Sequence, residues 1–68
     1  EMKPTQLIVG DRVKVKPHAC DEFEATFIQR IITTGEVRRV GKCRFLGLKS
    51  QTYFWLNDSE VYHQVKHV

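Results

Sequence analysis

Between the turn signal Gly10-Asp11 and Pro17 the chain reads Arg12-Val13-Lys14-Val15-Lys16, a strict alternation of cation and valine. Successive side chains of a strand point to opposite faces, so this period of two predicts a half-buried β-strand with Val13 and Val15 inward and three cations outward. Pro17 has no N–H and ends the ladder. A one-sided strand needs further strands to cover its valines. In a chain of 68 residues, only a single domain can be built around one core.

Later segments supply those strands. Glu36 to Val40 is bounded by Gly35 and Gly41, and Lys42 to Leu48 follows within two residues, which predicts a hairpin across Gly41. After the polar turn Ser50-Gln51, Thr52 to Leu56 is the most aromatic stretch. Asn57-Asp58-Ser59-Glu60 predicts one helical turn near 58–61, capped by Asp58 or Ser59. Val61 and Val65 suit a last short strand closing on the first. The expected core comprises Val13, Val15, Val37, Phe45 or Leu46, Phe54 or Leu56, and Val61.

Residues 20–32 admit two readings. Phe23, Phe27 and Ile31 recur at i, i+4 and i+8 beside Cys20 and Ile28, which predicts a short helix with extended last residues. Asp21, Glu22 and Glu24 then sit at its positive start and Gly35 at its stop. The competing strand rests on the β-branched and aromatic content of Thr26-Phe27-Ile28 and Ile31-Ile32-Thr33-Thr34. Residues 1–6 have no periodicity and are read as a flexible lead-in to a domain over 7–68.

Four or five short strands with tight turns are most economically buried by curling into a small barrel, so the fold class is mainly β. The order Gly-Asp-Arg-Val-Lys-Val, then Thr-Gly-Glu-Val-Arg-Arg-Val, then an aromatic hairpin, one turn and a final strand resembles SH3-like barrels of the Tudor and KOW kind. The resemblance spans about residues 8–65. It implies the barrel and an aromatic surface of the sort that Tudor-like modules use to hold methylated lysine or arginine. An acid beside such a cage is usual, a part open to Asp58 or Glu60.

Chemistry-bearing motifs are sparse. The chain has no phosphate loop, dinucleotide glycine pattern, metalloprotease helix or nucleophile elbow, and the reading is of a non-enzyme without cofactor. His18, Cys20, Cys43, His63 and His67 are ligand types, yet they lack the paired short spacings of a structural zinc site. Cys20 and Cys43 are read as free thiols, the alternative being one bridge worth roughly 3 kcal/mol. The longest apolar runs, Leu7-Ile8-Val9 and Phe54-Trp55-Leu56, are far short of a membrane span.

Two features remain. The first is the aromatic group Tyr53, Trp55 and Tyr62, with Phe23 near and Asp58 as its acid. It points to a protein or peptide partner, methylated or not, held by apolar and cation–π contacts. The second is the acid-free stretch Arg38, Arg39, Lys42, Arg44 and Lys49, extended by Arg12, Lys14 and Lys16. The net charge is +3, and residues 35–68 hold six basic against three acidic side chains, so the excess lies in the second half. Such a stretch can follow a phosphate backbone, with the rings as stacking surfaces for bases. The leading expectation is an intracellular interaction module of a larger protein. Nucleic-acid binding is its rival, and a barrel that only packs against other domains of its parent is a third.

Overall fold

Val13 and Val15 are fully buried while Arg12 between solvent and sheet is exposed, as the alternation of β1 (Arg12–Val15) requires. In the computed structural model, which describes all of residues 1–68, four more strands follow. They are β2 (Phe23–Thr34), β3 (Arg39–Gly47), β4 (Tyr53–Asn57) and, after the helix α1 (Asp58–Gln64), β5 (Val65–His67). All pairings are antiparallel in one sheet of order β4-β3-β2-β1-β5. The sheet curls until Phe23, at the start of β2, meets Phe54 of β4 edge to face at 5.6 Å between ring centres. Phe45 stacks on Phe54 at 5.5 Å and receives Phe27 edge-on at 5.7 Å. The fold is therefore mainly β, with ten buried hydrophobic residues as its core.

The helix expected over 20–32 is instead the long strand β2. A spacing of four fits both periods, so Phe23 and Phe27 share a face in a strand as well, with buried Ala25 between them. The β-branched run decided the matter. The register of β2 against β3 slips between Phe27 and Gln29, leaving Ile28 as a bulge. Beyond it the parity inverts. Arg30, opposite Cys43, turns inward, and Ile31, opposite Lys42, turns outward.

The expected hairpin across Gly41 also differs. Residues Arg39–Gly47 form one strand through that glycine, and the reversal lies at 35–38, where the Gly35 N–H donates to the Arg38 carbonyl at 2.8 Å. Val37, expected in the core, sits in this turn and is 95% exposed. Inward positions fall to Phe45 rather than Leu46 on β3, and to both Phe54 and Leu56 on β4.

The single turn expected near 58–61 is a longer helix, Asp58–Gln64, and its N-cap is Asn57 rather than Asp58 or Ser59. Glu60 accepts the Asn57 N–H at 2.9 Å, satisfying one donor left open at the helix start. Asp58 and Glu60 suit the positive end of the helix, and Val61 is its buried residue. The helix carries the chain back so that β5 pairs with β1. Residues 1–6, read as a lead-in, are drawn into the fold: Pro4–Gln6 is a short 3-10 turn and Met2 is buried.

These placements can be checked by denaturant unfolding. Val13→Ala or Val15→Ala should cost about 1–3 kcal/mol, because a branched side chain is lost from a filled site. Val37→Ala should change stability by less than about 0.5 kcal/mol.

Candidate functional site

Alternation along β3 and β4 sorts the candidate residues between two faces. Cys43, Phe45 and Gly47 point to the core, so Lys42, Arg44 and Leu46 point away from it. The register Arg44↔Trp55 and Leu46↔Tyr53 places both outward aromatics beside them. Tyr53 and Trp55 keep 51% and 44% of their surface in solvent, which separates them from the half-buried Phe54 and Leu56 on the inner side.

On this outward face the aromatic and basic features meet in one residue. The Arg44 guanidinium lies 4.2 Å from the centre of the Tyr53 ring and 5.8 Å from that of Trp55, within range of cation–π attraction. Arg44 belongs to none of the three ion pairs, which are Arg12–Glu24, Arg30–Asp58 and Lys66–Glu22. Its Nε is buried without a hydrogen-bond partner. A half-buried arginine without a carboxylate retains unused donors in a planar fork suited to an anion.

The other residues expected near the rings are elsewhere. Phe23 packs on Phe54, on the opposite side of β4 from Tyr53 and Trp55. It lines a cleft of about 600 Å³ with Lys14, Glu22, Glu24 and Lys49, whose charges are mixed. Tyr62 lies on α1 and packs edge to face on His63 at 5.1 Å, with no ring contact to Tyr53 or Trp55. The basic stretch is likewise divided. Lys42 and Arg44 face outward, Arg38 and Arg39 occupy the exposed end of the β2–β3 hairpin, and Lys49 lies in the β3–β4 turn. Arg12 is paired with Glu24 at 4.0 Å, Lys14 lies beside the cleft, and the Lys16 ammonium donates to the Cys20 carbonyl at 2.6 Å.

Asp58, expected as the acid beside the rings, faces inward at the base of the hairpin. Arg30 grips it with a fork, Nη2 to Oδ2 at 2.7 Å and Nε to Oδ1 at 3.2 Å. The hydrogen bond to Asp58 holds the Arg30 guanidinium above even its ordinary pKa. The fork passes over Gly41, where a Cβ would collide with the Asp58 carboxylate and come within 2.7 Å of Arg30 Nη2. Beneath it Cys43 is fully buried, its Sγ 3.9 Å from Asp58 Oδ1. Burial, and then the charge of Asp58, push the Cys43 thiol up to about 11. Cys20 and Cys43 are both unbridged, the first exposed and the second buried. No group of three or more His, Cys, Asp or Glu side chains is positioned to hold a metal ion, and no helix is long and apolar enough to cross a membrane.

Sequence reasoning named Tyr53, Trp55 and Arg44 but in separate features. Their union depends on which β3 residue stands opposite Trp55, and that register has no local signal in either strand. Leu46, which stands opposite Tyr53 in the register, was expected only as a core alternative.

Compared with protein families, curated proteins and solved structures, the chain gives no match.

Two outcomes test the inner cluster. Gly41→Ala should destabilise the fold by about 1–3 kcal/mol, since the fork must move aside. The buried thiol binds its proton more tightly folded than unfolded. Its stabilisation is therefore complete below about pH 9, the ordinary thiol value, and is lost as pH rises towards 11. Urea unfolding of the native chain between pH 8 and 11 should show a decline of about 2–3 kcal/mol from this source. That component should be absent from Cys43→Ala, whose stability is lower at the outset.

Proposed function

We propose that this domain is a non-catalytic interaction module, an SH3-like barrel within a larger intracellular protein, that binds a protein or peptide segment through the outward face of β3 and β4. The strand order β4-β3-β2-β1-β5, with a helix leading into the last strand, supports the SH3-like reading. The observation that carries the functional one is the Arg44 guanidinium lying against Tyr53 and Trp55 with an orphaned Nε. A surface with two exposed rings and an unpaired arginine has the composition of an interface hot spot, where aromatic and arginine side chains dominate the energy.

The chemistry of that surface favours an acidic or neutral segment over a methylated cation. Arg44 already supplies the positive charge beside both rings, so a methylated ammonium would meet a like charge there. The division of the basic stretch also weighs against nucleic acid. A phosphate backbone is followed by cations in line, whereas Arg38, Arg39, Lys42 and Lys49 are distributed over a hairpin end, a sheet face and a separate turn.

An amide-shift titration tests the proposal, using acidic, neutral and methyl-lysine peptides, single-stranded RNA and duplex DNA at two salt concentrations. Peptide binding should move the signals of Tyr53, Trp55 and Arg44 and depend weakly on salt. Trp55→Ala should weaken it at least about tenfold with amide dispersion retained, because the ring lies outside the core. Tyr62→Ala should leave it within about twofold. Affinity for RNA or DNA alone, falling with salt at about 0.7–0.9 log units per phosphate, would replace the peptide reading.

A further inference from the structure

The two edges of the sheet are unlike. β5 is three residues long, and its central residue is Lys66, so shortness and charge both discourage another strand from pairing there. β4, at the opposite edge, reads Tyr53-Phe54-Trp55-Leu56-Asn57, with no charge, proline or bulge. Charge, proline and bulge, which commonly protect an edge, are thus absent from it.

The hydrogen-bond parity of β4 identifies its free groups. The Gly47 N–H donates to the Thr52 carbonyl at 3.0 Å. In an antiparallel ladder bonded and non-bonded pairs alternate, so Phe54 and Leu56 turn their main-chain groups to β3. Those of Tyr53 and Trp55 turn to the open side. Asn57 confirms the parity, because its outward N–H is taken by the Glu60 side chain at 2.9 Å. No bond outside the sheet uses the N–H or C=O of Tyr53 or Trp55. Four main-chain groups, two from each residue, thus lie beside the exposed rings that form the proposed binding face.

We propose that β4 accepts an added β-strand from a partner, an extended segment in which acidic and apolar residues alternate. This inference rests on the reading of the outward face as the binding surface and specifies how that surface is used. Main-chain bonds to Tyr53 and Trp55 would supply affinity, and alternate side chains the selectivity. Side chains on the inner side of the added strand would lie beside Phe54 and Leu56, which are apolar and half-buried. Those on the outer side would lie beside Tyr53 and Trp55, within reach of Arg44. Two strand spacings, about 10 Å, separate the added strand from β3. The Arg44 guanidinium lies 4.2 Å from the centre of the Tyr53 ring, so this β3 side chain already reaches the edge strand. Exposed Lys42 adds a second cation on that face, and no carboxylate is paired with either. A second copy of the chain would suit the edge less well, because pairing β4 with itself would bring two Arg44 side chains onto one face.

The test uses the 68-residue chain and synthetic probes: a capped heptapeptide alternating Glu and Val, its Lys-Val counterpart, an N-methylated Glu-Val peptide, and heptauridylate. The N-methyl groups block the amides that would bond β4. Native-state amide exchange is read at Tyr53 and Trp55. Saturating Glu-Val peptide should slow both amides at least about tenfold, while the Lys-Val and N-methylated peptides should not. Arg44→Gln should weaken the Glu-Val peptide about tenfold with amide dispersion unchanged. If the Glu-Val peptide shifts the Trp55 ring but leaves the two amides exchanging as before, strand addition is wrong and the binding face stands. Protection that appears without peptide and grows with protein concentration would assign the edge to a second copy. Binding of heptauridylate alone, or of no probe, would remove both the inference and the peptide reading.

Discussion

The fork between Arg30 and Asp58 ties the middle of β2 to the first residue of α1, across the backbone of Gly41. Its geometry depends on three local conditions. The bulge at Ile28 turns Arg30 inward, the glycine leaves room for the fork to pass, and the Asn57 cap starts the helix where its first residue faces the fork. Removing either partner would leave a half-buried charge unpaired, which costs more than the pair contributes on its own, and removing Asp58 would also strip the carboxylate from above the Cys43 thiol. Through α1 the same fork sets the direction from which β5 returns to β1. In a domain with only ten buried hydrophobic residues, the fork adds to the one buried side chain, Val61, by which α1 is packed on the sheet.

Curling of the sheet around its core determines what remains exposed. Phe54 and Leu56 are drawn inward to complete the aromatic packing around Phe45, and strand geometry then sends Tyr53 and Trp55 outward. Their exposure is a consequence of the core taking the other two positions. Arg44 covers part of the exposed ring surface, which lessens its cost in water and concentrates positive charge on the same face. The rings of the face and the β4 edge thus come from one strand, the first from its side chains and the second from its main chain, while β3 contributes Arg44.

Several elements were legible because their signals are local. The valine–cation alternation specified β1 and its inward face, and the polar cluster after Leu56 marked a helix start within one residue. The division of Tyr53 and Trp55 from Phe54 and Leu56 followed from the same period of two. Over residues 20–32 the local pattern does not decide, because a recurrence every four residues satisfies both a strand and a helix. Gly41 mimics a turn signal in the sequence, but its reason for being glycine is a carboxylate seventeen positions later in the chain, Asp58, whose fork with Arg30 crosses it. Val37 has a core residue's side chain but sits at the hairpin end, away from the core.

The sequence by itself determined that this chain is a small β domain, and which faces of its first and fourth strands are apolar. Those properties depend on side-chain type and period, both readable within a few positions. Tertiary structure decided which of the candidates meet. It joined Arg44 to Tyr53 and Trp55, sent Phe23 to the other side of β4, and gave Asp58 to Arg30. The physical reason is register. Strand pairing is set by the bulge at Ile28, the turn at 35–38 and the packing of distant rings, and a shift of one residue would send every side chain on β4 to the opposite face.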